Sequence, residues 1–251
     1  MGYEGRPMAM TLEVYPTDAE AFEATAALAA ERLGGAGLHP TVALGGGRSG
    51  RGVMVALAAR GDLPWERVEW FLADERCVPA GDTRSNARLA EEALFVPRGV
   101  AAARIHPAPL ALGDPERVAA AYAETLARAL APGPAFDLLL LGLNIRGSVA
   151  ALVPGCAALG ASAAVGAVSA EEVDEEPRVG RITLTPTVLA AARHVIVTAV
   201  GEESAGAVAA AVVDGADPAR VPAALVRPSA RVTWIVDRAA AQLLLRDARP
   251  A

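Results

Sequence analysis

Lysine is absent from the 251 residues; all 23 basic side chains are arginine. That excludes a lysine Schiff base and a lysine phosphate clamp. Any cationic contact must be a guanidinium, whose fork grips oxyanions through paired N–H groups. Aromatics are scarce at 4% against 53% hydrophobic residues, so the core must be built from Ala, Val and Leu. The only cysteines, Cys77 and Cys156, have no metal-ligand spacing and no disulfide framework. They read as small packed thiols of a reducing compartment. No apolar run approaches the roughly 18 residues of a membrane span, and the opening MGYEGRPMAM lacks a charged-then-apolar signal pattern. The expectation is a soluble cytoplasmic protein with no membrane partner. Its net charge of -6 gives no basic face for nucleic acid, which excludes that partner as well. The sequence does not set an oligomeric state.

What is present is an alternation of helix and strand signals across residues 1–251, read as one large α/β domain. Thr17-Asp-Ala-Glu20 is a capping box that opens a helix closing at Gly34-Gly35. Thr41 to Leu44 is a short strand running into three glycines, with a helix to about Ala59. Residues 68–73 form a strand, and a helix starts near Ser85. Asp114-Pro115 opens a helix through Leu130, with proline at its first position. Residues 136–141 are continuously apolar, as in a strand covered on both faces, and a glycine turn and short helix follow. Further strands are expected at 165–169, 181–185, 194–199 and 232–236, with helices after Pro186, over 202–213 and after Asp237. Residues 156–180, small and then acidic, are the best candidate for a mobile excursion. The pattern predicts a doubly wound, mostly parallel sheet with helices on both faces.

Ligands in such sheets bind at the carboxyl ends of the strands. The first tip, ALGGGRSGRG, offers backbone N–H groups at a helix start with Arg48, Ser49 and Arg51 beside them, a pattern that suits an anion. The second, WFLADERCVPAGDTRSN, brings Asp74, Glu75 and Arg76 to a strand end and opens a helix with Ser85-Asn86. These groups suit hydroxyl and phosphate binding; the competing reading is an ion cluster with an N-cap. The third and fourth tips are 142–148 and 201–204. His39, His106 and His194 fall on none of the four and read as structural or solvated. A Ser-His-Asp hydrolase centred on Ser148 would need one of them, and the nucleophile-elbow glycine spacing is missing.

Taken together, ALGGGRSGRG, WFLADERCVP with Ser85-Asn86, FDLLLLGLNIRGSVAALVPG, RITLTPTVLAAARHVIV with Gly201, and WIVDRAAAQLL resemble the 6-phosphogluconolactonase family, relatives of the glucosamine-6-phosphate deaminase fold. They span nearly the whole chain in order. The resemblance implies a Rossmann-like sheet, ring opening of 6-phosphogluconolactone, a small sugar-phosphate substrate, and no metal or organic cofactor. Gly46 and Gly47 match the family's phosphate turn. Asp74, Glu75, Arg76, Ser85 and Asn86 match its second tip; Gly142, Gly147, Pro154 and Gly155 match its third.

The departures fall on the same tips. The family's Ser-Thr-Pro after the glycines is Arg48-Ser49-Gly50 here, and its Asp-Gly-His-Thr is Arg146-Gly147-Ser148-Val149. Ala151 replaces a usual serine, and Ser204 stands where a lysine is expected. Ser148 thus occupies the position of the histidine thought to activate water. Three readings follow: an active hydrolase of the family, with water oriented by Asp74 or Glu75; a catalytically silent sugar-phosphate binder or rebuilt scaffold; or a changed enzyme, an isomerase or esterase centred on Ser148. With Ser148 at the base position, lactonase activity is expected to be weak or lost. Arg146 in place of an aspartate favours an anion nearby, and Val149, Ala151 and Val153 form either pocket lining or a contact surface.

Overall fold

The leucines of Leu138–Gly142 (β5) turn alternately to opposite faces of a sheet, and that alternation organises the protein. Leu139 and Leu141 enter one buried cluster, Leu138 and Leu140 the other. A strand covered on both faces has to be apolar throughout. The computed structural model describes residues 9–79, 81–130, 133, 135–173, 176–213, 215–227 and 231–247.

With strands numbered along the chain, β5 lies between Thr41–Leu44 (β2) and Val195–Ala199 (β8) in a six-stranded sheet. Glu69–Leu72 (β3) forms one edge; Arg231–Asp237 (β9) and then Ala9–Tyr15 (β1) complete the other. Every pairing in it is parallel. One face is covered by Asp18–Gly34 (α1), Gly47–Ala58 (α2) and Asn86–Ala90 (α3), the last running through a π turn into Val96–Arg98 (α4). The other is covered by Pro115–Ala129 (α5), Pro186–Ala191 (α6) and Ala205–Val212 (α7). The doubly wound architecture is therefore present. Thr17 Oγ1 accepts the Glu20 N–H at 3.2 Å, and Asp114 Oδ1 accepts the Arg117 N–H at 3.0 Å, so both helix starts read from sequence carry their caps. Among the described residues no helix is long and apolar enough to cross a membrane.

The structure departs from the sequence reading in four places. Strand β1 carries no signal that was read. Residues 165–169 and 181–185 do not join the main sheet: Val165–Val168 (β6) and Arg181–Leu184 (β7) form a small antiparallel sheet with Asp74–Arg76 (β4). The link between β6 and β7 has no helical pattern, and a parallel crossover needs one. No helix directly follows β5 over residues 143–156 either. Gly147 and Ala150 have φ of 79° and 50°, left-handed values that interrupt a helix, and Val149 bridges to Leu143 and Leu152 instead. Val149, Ala151 and Val153 are buried in the core and are neither pocket lining nor a contact surface. Finally, the described part of 156–180 holds local contacts of its own: Glu172 accepts the N–H groups of Ala157 and Ser169, both at 2.7 Å.

The histidines sit at the amino ends of strands. His39 lies just before β2 and His194 immediately precedes β8. His106 Nε2 is 2.8 Å from a carboxylate oxygen of Glu69, the first residue of β3, and its ring stacks on Phe71 at 4.4 Å. Burial pushes the Glu69 carboxyl up, but hydrogen bonds from His106 and Arg104 outweigh it and hold the group below the usual range.

Candidate functional site

The chain runs from β2 outward to β3 and then returns to place β5 on the other side of β2. The boundary between β2 and β5 is thus a topological switch point, where the loops leaving adjacent strands diverge and leave a crevice. A cavity of about 220 Å³ lies at these carboxyl ends, walled by the tips after β2, β3, β5 and β8.

At the β2 tip, Gly46 is the N-cap of α2 and supplies no side chain to the helix, leaving its first N–H groups for a ligand. A Cβ on Gly46 would lie 2.0 Å from Asn86 Oδ1, so only glycine lets the two tips meet. Gly47 has φ 73°, the left-handed conformation glycine adopts without strain. Gly46, Gly47, Arg48 and Ser49 all line the cavity. Arg51 does not; it is exposed on the outer side of α2.

The second tip divides into two roles. Asp74 and Arg76 line the cavity, whereas Glu75 is turned away and fully buried at 0% exposure. Its Oε1 accepts the N–H groups of Arg76 and Asn86, and its Oε2 accepts Ala87 N–H and Ser85 Oγ–H, at 2.7 to 2.9 Å. Burial pushes the Glu75 carboxyl up while these donors pull it down, and the net direction is up. Glu75 therefore anchors the start of α3 and does not line the cavity. Asn86, also buried, donates through Nδ2 to Asp74 Oδ2 at 2.9 Å and accepts from Arg76 Nη1, so it orients both cavity residues. Ser85 caps α3, accepting Arg88 N–H at 3.2 Å.

Arg181 was not among the residues singled out from sequence. It lines the cavity at 3% exposure and stands directly opposite Arg76 in the antiparallel β4–β7 pair. Two like charges across a strand pair repel, and Arg76 Nε is buried with no hydrogen-bond partner among the described residues. An anion in the cavity would offset that repulsion. The signal was present, since Arg181 opens the RITLT segment, but only the β4–β7 register shows where it points.

At the β5 tip, Gly142 and Ser148 line the cavity, with Ser148 4% exposed and its carbonyl accepting the Asn144 N–H at 2.9 Å. Gly147 lies outside; its carbonyl accepts Ala223 N–H, and a Cβ there would come 2.9 Å from Val221. Arg146 is exposed and outside the cavity. At the β8 tip, Ser204 Oγ donates to the Val200 carbonyl at 3.0 Å. Glu203, also missed from sequence, lines the cavity and binds Arg48, with Nη1 to Oε1 at 2.5 Å. Because β5 lies between β2 and β8, this ion pair spans the crevice above the β5 tip. Glu203→Gln is expected to release Arg48 from its nearer partner, leaving Asp18 at 3.7 Å, and to tighten inorganic phosphate binding by roughly two- to fivefold, the worth of an exposed ion pair. Isothermal titration calorimetry checks this, and an unchanged affinity would show that Arg48 does not reach the anion.

The arrangement offers four groups suited to a phosphate, namely Arg48, Arg76, Arg181 and the α2 start, with Asp74 as the carboxylate next to them. Among the described residues no histidine lines it. Residues 16–234 match the family described as glucosamine-6-phosphate isomerases/6-phosphogluconolactonase. The chain is 38% identical over 222 residues to the 6-phosphogluconolactonase of Streptomyces coelicolor, covering 84% of each chain. It is 33% identical over 252 residues to that of Mycobacterium tuberculosis, covering 94% of this chain and 99% of the relative. The solved 6-phosphogluconolactonase of Trypanosoma brucei has a TM-score of 0.83 at 29% identity, covering 94% of this chain and 99% of its own. A monomeric glucosamine-6-phosphate deaminase shares the fold, with a TM-score of 0.79 at 18% identity, covering 93% and 100%.

Proposed function

The chain belongs to the glucosamine-6-phosphate isomerase/6-phosphogluconolactonase family, and from that premise we propose that its crevice binds a sugar phosphate but opens the lactone ring slowly or not at all. One observation carries the proposal: the side chain at the end of β5 that faces the cavity, where the family resemblance expects a histidine, is Ser148. Hydrolysis of a lactone needs water made nucleophilic by a base, and a serine hydroxyl at neutral pH does not accept that proton. Loss of a general base costs about 10²–10⁴-fold in rate. The phosphate grip does not depend on that residue. Arg76 and Arg181 from the small sheet, and Arg48 with the open start of α2 from the β2 tip, converge from two sides. An arginine pair replaces the missing lysine with bidentate contacts.

A second reading is favoured by Asp74. Its carboxylate lines the cavity and is held by Asn86, so it is placed to orient a water as a weaker base. Glu75, the other carboxylate considered for this role, has both oxygens engaged by four donors. The two readings separate in a coupled assay on 6-phosphogluconolactone together with thermal denaturation in millimolar 6-phosphogluconate. The silent binder gives a raised melting temperature with turnover at least about 10²-fold below active relatives. Turnover within tenfold of those relatives overturns it in favour of Asp74; no thermal shift overturns the sugar-phosphate site itself.

A further inference from the structure

The largest cavity described, about 580 Å³, shares no lining residue with the polar crevice. It lies beside β3, the edge strand, between that strand and the helical run from α3 to α4. Trp70, Phe71 and Leu72 form one wall, and Ala87, Phe95 and Ile105 close it from the other sides. The volume falls within the roughly 300–1,000 Å³ of small-molecule pockets, and the walls are overwhelmingly apolar and aromatic, as such pockets are.

The π turn Glu91–Phe95 shapes its rim. Pro97 gives that turn a structural cause, because proline cannot donate the hydrogen bond that a regular helix requires of it. The consequence is still specific: an i→i+5 turn carries residues five apart onto one face, and Glu91 and Val96 both reach the cavity. Glu91 is the one carboxylate among the lining residues, none of which is an arginine, and it makes no ion pair among the described residues. Nearby cations are engaged elsewhere. Arg88 is held by Glu92 at 2.7 Å, Arg98 lies over the Trp65 ring at 4.6 Å, and His106 is bonded to Glu69. An apolar chamber with one unpaired carboxylate at its rim complements a cation on an apolar body and disfavours carboxylates and phosphates.

We propose that this cavity is a second ligand site, for a small aromatic or apolar amine whose protonated nitrogen meets Glu91 while its body fills the space beside Trp70 and Phe95. The site is independent of the sugar-phosphate reading. Calorimetric titration of the whole protein with naphthylmethylamine, naphthylmethanol and naphthoate, three probes of one shape and different charge, tests it. The amine is expected to saturate in the millimolar range or below and to bind at least about fivefold tighter than naphthoate. Glu91→Gln, at an exposed position, should abolish that preference while leaving naphthylmethanol binding unchanged. Ala102→Trp, which fills the mouth from another exposed lining position, should remove binding of all three. Equal affinity for amine and naphthoate, a preference that survives Glu91→Gln, or no saturable binding of any probe overturns the proposal.

Discussion

Ser148→His is expected to raise lactone hydrolysis by about 10²–10⁴-fold, the usual worth of a positioned general base. Residue 148 faces the crevice, and its backbone is fixed by the hydrogen bond from Asn144, so an imidazole there enters a cavity of about 220 Å³ already holding Asp74 and three arginines. From sequence alone, Arg146→Asp pairs with it, since both positions depart from the family's Asp-Gly-His. The structure places Arg146 on the exposed side of the turn, so adding that change should alter the rate by less than about fivefold. The gain should arrive with a new limb in the pH profile of kcat/KM near the imidazole range of roughly 6 to 7. A folded variant with neither faster turnover nor the new limb would mean that the crevice has been rebuilt beyond this one position, and the attribution of silence to Ser148 would fail.

Glu75→Ala is expected to lower stability by about 3–5 kcal/mol, measured by denaturant titration, because it leaves four donors without their acceptor in a dry site. Three are backbone N–H groups, of Arg76, Asn86 and Ala87, which cannot turn elsewhere once β4 and α3 are formed. The fourth, Ser85, is also the cap of α3. Glu75→Gln keeps one acceptor oxygen and should cost less. The damage should reach function indirectly: Asn86 holds Asp74 and Arg76, so anion affinity should fall as α3 loosens. A loss below about 1 kcal/mol would contradict the anchoring role and return Glu75 to the list of possible substrate contacts.

Much of the fold was legible because its signals are local. The unbroken leucines of β5, the Thr17 and Asp114 caps and the glycines after β2 each specify their own segment, and they do so through periodicity, capping and backbone freedom. Legibility failed where partners decide. Nothing within 165–168 or 181–184 states whether those strands pair with the main sheet or with each other. Nor do the letters DER reveal that Asp74 and Arg76 face the crevice while Glu75 faces the core, although alternation along a strand makes one of those two splits inevitable.

The same division runs through the chemistry. Sequence by itself determined the inventory: no lysine, three histidines away from the tips, and a serine where the family resemblance expects a base. Those are statements about which atoms exist, and no fold alters them. Tertiary structure alone decided the meeting of Arg76 with Arg181 and the bridge from Arg48 to Glu203. Those residues are separated by more than a hundred positions, and only the β4–β7 register and the order β2, β5, β8 carry them to one crevice. Electrostatic sites depend on distances of a few ångströms between groups remote in sequence, and such distances are fixed by packing.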